Sequence, residues 1–234
     1  MNSRERVHAA LRRQPTDRVP IYMWFHPDTA RRLGGLLEIP ASDVGDAMGD
    51  DIHQIWVNNN YAMEGIVHAH DGARHRDDWG IVWERQFGFN QIVQFPLQGA
   101  SPEQVLAYRF PEERLEQFLA PMQALAEANA RPDADNRYFL GCDVSPCVFE
   151  MYWRLRGMEN ALLDMAVAPD LERAMFRRCA DFAIRLAEAA CARFDLDWLW
   201  TGDDVASQQS LIFSPTAWCA FIKPELARVF AVGK

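Results

Sequence analysis

The 234-residue chain is 49% apolar and 12% aromatic, ample for a sizeable core in one large domain or two small ones. Its net charge of -9, with no lysine or arginine cluster to offset it, excludes nucleic acid as the natural partner. No apolar run reaches the length of a membrane span, the start MNSRERVHAALRR has no apolar signal core, and the five cysteines (Cys142, Cys147, Cys179, Cys191, Cys219) lack CxxC spacing, so they read as free, mostly buried thiols of a cytoplasmic protein.

In chain order, Ser3 followed by Arg6, Val7, Ala10 and Leu11 predicts a first helix, stopped by Pro15 and Asp17. Arg18–Phe25 reads as a strand ended by His26-Pro27, and Asp28–Leu37 as a helix weakened by Gly34-Gly35. Ile52–Val57 is a second strand. From about 65 to 98 alternation and glycine turns take over, which predicts antiparallel hairpins inserted into an otherwise βα-type chain. Pro102–Leu106 and Glu112–Ala130 are helical, Pro132-Asp133 breaks the chain, and Tyr138–Cys142 is a third strand. Glu159–Val167 is a helix, and Pro169 opens the longest one. Along it Leu171, Met175, Cys179, Phe182, Leu186, Ala190 and Phe194 form one apolar stripe. The buried run Trp198–Trp200 is a fourth strand and Pro215–Val232 the last helix. Four strands alternating with helices imply a parallel sheet: the N-terminal portion of a (β/α)8 barrel in one domain, 1–234, with a β-hairpin insertion and the later strands still to come.

Barrel enzymes do their chemistry at the C-terminal ends of the strands. The polar residues there are His26, Asn58, Asp143, Asp203 and Asp204. Asp203 and Asp204 are the candidate catalytic pair: one carboxylate facing a pocket, the other bonding backbone amides or an arginine, with a raised pKa for whichever is buried. His26 is a proton carrier or a ligand, or is structural. Asn58 orients substrate or makes a turn. Asp143 lines the site or caps the helix that follows. Gln208 offers an amide to a polar substrate edge, and Tyr152 offers a phenol to an anionic group or simply to water. His68 and His70 fall on one face of a strand. With His75 they sit on the hairpin excursion, away from the strand ends, where surface decoration is the simpler reading. No G-x-S-x-G and no glycine-rich phosphate loop is present.

Several segments together resemble the uroporphyrinogen decarboxylase superfamily, which also holds cobalamin-dependent methyltransferases. These are Arg4-Glu5-Arg6 through Asp17-Arg18-Val19-Pro20, Asp78-Trp79-Gly80 with Trp83, Tyr152 within PCVFEMYWRLRG, and Asp203-Asp204 through Gln208, Ser214-Pro215, Phe221 and Pro224. The arginine-rich "RQAGR" motif of authentic decarboxylases is replaced by Phe25-His26-Pro27-Asp28-Thr29-Ala30-Arg31-Arg32. Capture of a polycarboxylate needs guanidinium groups placed together. The resemblance therefore implies the methyltransferase branch, a corrinoid-linked enzyme acting on a small methylated substrate or on methylcobalamin. A divergent decarboxylase of tetrapyrrole biosynthesis, or a non-catalytic corrinoid- or small-molecule-binding module, are the alternatives. It also implies zinc on an "H-x-C…C" set and a corrinoid for a longer protein, with a corrinoid protein as a partner. This chain has no H-x-C, so no metal ligand is assigned within it. A homodimer is admitted, and the oligomeric state stays open.

Overall fold

The computed structural model describes residues 1–58, 70–130 and 138–234. Asn2 opens α1 (Ser3–Leu11) with a reciprocal cap: its side chain accepts from the Glu5 amide at 2.8 Å, and Glu5 accepts from the Asn2 amide at 3.1 Å. His26 caps α2 (Pro27–Leu37), with Pro27 at the first helical position. A short α3 (Val44–Ala47) leads into β1 (Ile52–Trp56).

Between the first two helices, the expected strand Arg18–Phe25 joins no sheet among the described residues. Two of its amides are taken by side chains instead. The Ile21 amide donates to the Asp51 carboxylate at 2.8 Å and the Met23 amide to Asp50 at 3.3 Å, while the Ile21 carbonyl accepts from the Asp51 amide. Pro20 has no N–H to offer a ladder. The segment is fastened by a charged knot. Buried Asp51 receives Arg6 Nη1 at 2.5 Å and Arg18 Nη1 at 2.6 Å, and Arg6 also grips Asp17 at 2.7 Å. The "DRVP" stretch thus works as a clamp.

The parallel sheet has the order β1-β5-β6, with β5 (Phe139–Asp143) central and β6 (Trp198–Trp200) at one edge. The register pairs Gln54 with Gly141 and Gly141 with Trp198, then Trp56 with Asp143 and Asp143 with Trp200. Side chains alternate across a sheet, so these residues share one face. The opposite face, with Leu140, Cys142 and Val144, packs into the core beneath the helices.

An antiparallel sheet β2-β3-β4 (Arg74–Arg76, Val82–Gln86, Phe89–Gln94) supplies the expected hairpin over residues 70–98. The start of that excursion, including His68, lies outside the described residues. His70 is exposed and His75 sits in β2. Asp77 organises the turn into β3: it accepts the Trp79 and Ile81 amides at 2.9 Å and the Trp83 indole N–H at 2.8 Å. Asp77, rather than the neighbouring Asp78, is therefore the acid that builds this loop.

Then come α4 (Pro102–Leu106), α5 (Leu115–Asn129), α6 (Phe149–Arg156), α7 (Met158–Val167) and the long α8 (Pro169–Arg193). The stripe from Leu171 to Phe194 is buried along its whole length, as its period predicts. After β6, α9 (Pro215–Ala217) widens through a π-type stretch (Trp218–Ile222) into α10 (Lys223–Val232). Pro224 cannot donate to the Ala220 carbonyl four residues back, and Arg173 of α8 donates to that carbonyl instead, at 2.6 Å. The result is a mixed α/β fold in which helices cover one face of a parallel sheet.

Gly141 makes one close approach possible. A Cβ there would sit 1.7 Å from Nε1 of Trp198, whose indole lies across the strand. Gly141→Ala is expected to cost about 2 kcal/mol by forcing that ring aside. Urea titration would measure it, and a variant as stable as the parent would mean that Trp198 has room to move.

Candidate functional site

The strand ends of the parallel sheet gather the polar groups. Asp143, the last residue of β5, is fully buried. Its Oδ1 accepts the Ser145 amide at 2.8 Å and its Oδ2 accepts the Gln54 amide side chain at 3.3 Å. Burial pushes its carboxyl up to about 7; the Ser145 donors pull it back and nearby Glu150 raises it further. Asp143 therefore exchanges its proton near neutrality, a property suited to an acid or base. On either side in the same row stand Trp56 and Trp200.

The loops beyond the strands are tied together. Buried Asn58 donates from Nδ2 to the carbonyls of Val144 (3.2 Å) and Pro146 (2.7 Å). Ser145 Oγ accepts the Gly202 amide, and the Thr201 hydroxyl donates to Cys147 Sγ at 2.8 Å. Burial pushes the Cys147 thiol well up, which keeps it a poor nucleophile. Asp203 accepts the amides of Phe149 (2.8 Å) and Glu150 (2.6 Å), so it caps α6 from 54 and 53 residues away. Burial lifts its carboxyl to about 7 against the pull of those amides. A carboxylate at a helix N-terminus is the favourable pairing for the helix dipole.

The sequence-predicted residues divide accordingly. Asp143, Asn58 and Asp203 converge on the strand ends. Asp143 does not cap the following helix; Asp203 does. Asp204 is exposed on the loop, where its amide meets Glu150 at 3.3 Å, and Gln208 is exposed further along it. His26 is spent on the start of α2: its Nδ1 accepts the Asp28 amide at 3.2 Å and its ring packs 5.3 Å from Phe89. Tyr152 faces the interior, not a ligand. Its hydroxyl is wholly buried and donates to Asp164 at 2.8 Å, and Asp164 also binds Arg156 at 2.9 Å. Beside this group Glu172 is fully buried, and neither of its oxygens has a partner among the described residues. Burial, with the charge of Asp164, lifts Glu172 to about 9.

Sequence reasoning missed Gln54, Trp56, Trp200 and Glu150. Period-two alternation through β1 carried the signal for the first two, because Gln54 and Trp56 must share the face of Asp143. Among the described residues no three His, Cys, Asp or Glu side chains gather as a metal site, and Asp143 and Asp203 are already committed to amides. The described residues do not fit zinc. No helix in the described residues is long and apolar enough to cross a membrane.

No protein-family model matches the sequence, and no curated protein does. Among solved structures, a methyltransferase from Methanosarcina mazei is similar at 16% identity and a TM-score of 0.57, over 100% of this chain and 68% of that one. Over its whole length, then, the chain shares the α/β fold of a methyltransferase.

Proposed function

We propose that the chain carries methyl-transfer chemistry of the uroporphyrinogen decarboxylase-like kind, delivering a methyl group from a small methylated donor or methylcobalamin to a thiol. The observation that carries the reading is the position of Asp143, at the strand ends of a fold that serves a methyltransferase in Methanosarcina mazei. In its charged form Asp143 takes the thiol proton. The thiolate sulfur then forms the new bond to the methyl carbon, and the donor leaves with the electron pair of the broken bond. Gln54 and the Ser145 amide hold the carboxyl in place for that step. Thr201, Cys147 and Asp203 keep the surrounding loops in register.

The test is methyl transfer from methylcobalamin to a simple thiol, run with Asp143→Asn, Asp203→Asn and Asp204→Asn. Asp143→Asn is expected to lower kcat by a factor on the order of 100, while exposed Asp204→Asn stays near the parent. An unchanged Asp143→Asn rate, or release of carbon dioxide from uroporphyrinogen with no methyl transfer, would sink the reading.

A further inference from the structure

Among the described residues β1 pairs only with β5, and a cleft of about 320 Å³ runs between β1 and the segment before α2. Its lining includes Tyr22, Trp24, Asp46, Asp50, Gln54 and Trp56, and its volume is within the range of small-molecule sites. Trp24 and Tyr22 are 44% and 40% exposed, although large aromatic side chains are normally buried. Trp24 packs edge to face with Trp56, their centroids 6.1 Å apart.

Two hydrogen-bond acceptors in this lining are unspent. Asp50 is only 7% exposed, and the amides of Met23 and Ile52 both donate to its Oδ1, at 3.3 and 3.4 Å. No donor reaches Oδ2 among the described residues. Across from it stands Gly45, also in the lining, where a Cβ would lie 3.4 Å from Oδ2. Burial pushes the Asp50 carboxyl up, the sign of a charge short of compensation. Gln54 donates from Nε2 to Asp143 at 3.3 Å, while its Oε1 is buried with no partner among the described residues. Four residues of strand separate the two acceptors, roughly 13 Å between Cα atoms. The field is negative throughout, since Asp46 adds a second carboxylate to the lining.

An anion would be repelled here. A neutral apolar molecule would leave both oxygens unpaired. Ammonium groups supply N–H donors to the two acceptors and are attracted to indole faces, and a methylene chain between them covers the rings. We propose that this cleft binds a linear polyamine, one ammonium donating to Asp50 Oδ2 and another to Gln54 Oε1 beside the Trp24 and Trp56 indoles. The site goes beyond the methyl-transfer reading, because Asp143 is not part of the cleft's lining.

The experiment is a binding measurement on the 234-residue chain, with spermidine, the shorter 1,3-diaminopropane and the neutral 1,8-octanediol as probes. At pH 8 the spermidine methylene protons should shift upfield, since they lie against indole rings, with a Kd on the order of 0.1 mM. 1,3-Diaminopropane is too short to reach both acceptors, and it and the diol should each bind about tenfold more weakly. Asp50→Asn should weaken spermidine about tenfold and Trp24→Leu about fivefold. Glu188→Gln removes one exposed charge outside the cleft and should leave affinity unchanged, which separates a site from the general pull of an acidic chain. Trp24 is exposed, so its variant stays interpretable if Asp50→Asn fails to fold. Equal affinity for spermidine and 1,3-diaminopropane, equal effects of Asp50→Asn and Glu188→Gln, or no shift with spermidine at about 5 mM would overturn the proposal. A chain that binds spermidine but transfers no methyl group would leave this site standing and count against the methyl-transfer reading alone.

Discussion

Asp51→Asn is expected to destabilise the protein by about 3 kcal/mol, read as a lower urea midpoint with an unchanged slope. The substitution keeps the shape and removes the charge that both Arg6 and Arg18 face. The Arg6 side chain is only 8% exposed, so an unpaired guanidinium there cannot simply turn to water. Asp17 still holds it, which limits the loss. The same carboxyl sets an acid limit. Burial raises its pKa, but the Ile21 amide and the Arg18, Ser3 and Arg6 donors more than offset that and leave it below its ordinary value. The unfolded chain therefore takes up the proton more readily than the folded one. This contribution is complete above the ordinary aspartate range, near pH 4, and fades as pH falls below it. A loss under about 1 kcal/mol would show the knot to be surface decoration.

Glu172→Gln is expected to stabilise the protein, and by more as the pH rises. Glu172 is held neutral inside the fold with its pKa lifted from 4.5 to about 9. Between those values the folded protein keeps a proton that the unfolded chain has released, so stability falls with rising pH across that window. Glutamine has the shape of the neutral acid and no charge to gain. The variant should match the parent near pH 4 and exceed it by about 5 kcal/mol at pH 8. Melting curves at several pH values provide the check. A difference that does not change with pH would mean that Glu172 finds a partner or water when it ionises.

Much of this architecture is legible in the sequence because it rests on local periodicity. The α8 stripe is a 3.6-residue repeat, and β5 and β6 are apolar runs ended by polar residues. The hairpin announces itself by alternation and by Phe87-Gly88, where both residues take positive φ and the Asp71 carboxylate accepts both amides. What escaped depends on distant partners. Helix α6 has no cap of its own at Val148; its cap is Asp203, supplied from the loop after β6. No local start signal exists, which hides the helix from the sequence and leaves Asp143 as the nearest candidate cap. Arg18–Phe25 has strand composition, but Asp50 and Asp51 take its amides. Trp198–Trp200 reads as buried on both faces, yet Trp200 stands open, because composition does not say which face of a sheet is covered. Tyr152 and His26 were assigned to a pocket by position, and their hydrogen bonds assign them to packing and to a helix start.

Asp203 has a dynamic consequence. Its two bonds to the Phe149 and Glu150 amides join the β5–α6 and β6–α9 connections into one opening unit. Neither loop can fray without releasing the other, so both should exchange their amide hydrogens at a common rate. A molecule that stills one loop would still its neighbour as well, and a second molecule would then bind a surface already ordered for it, without any change of shape.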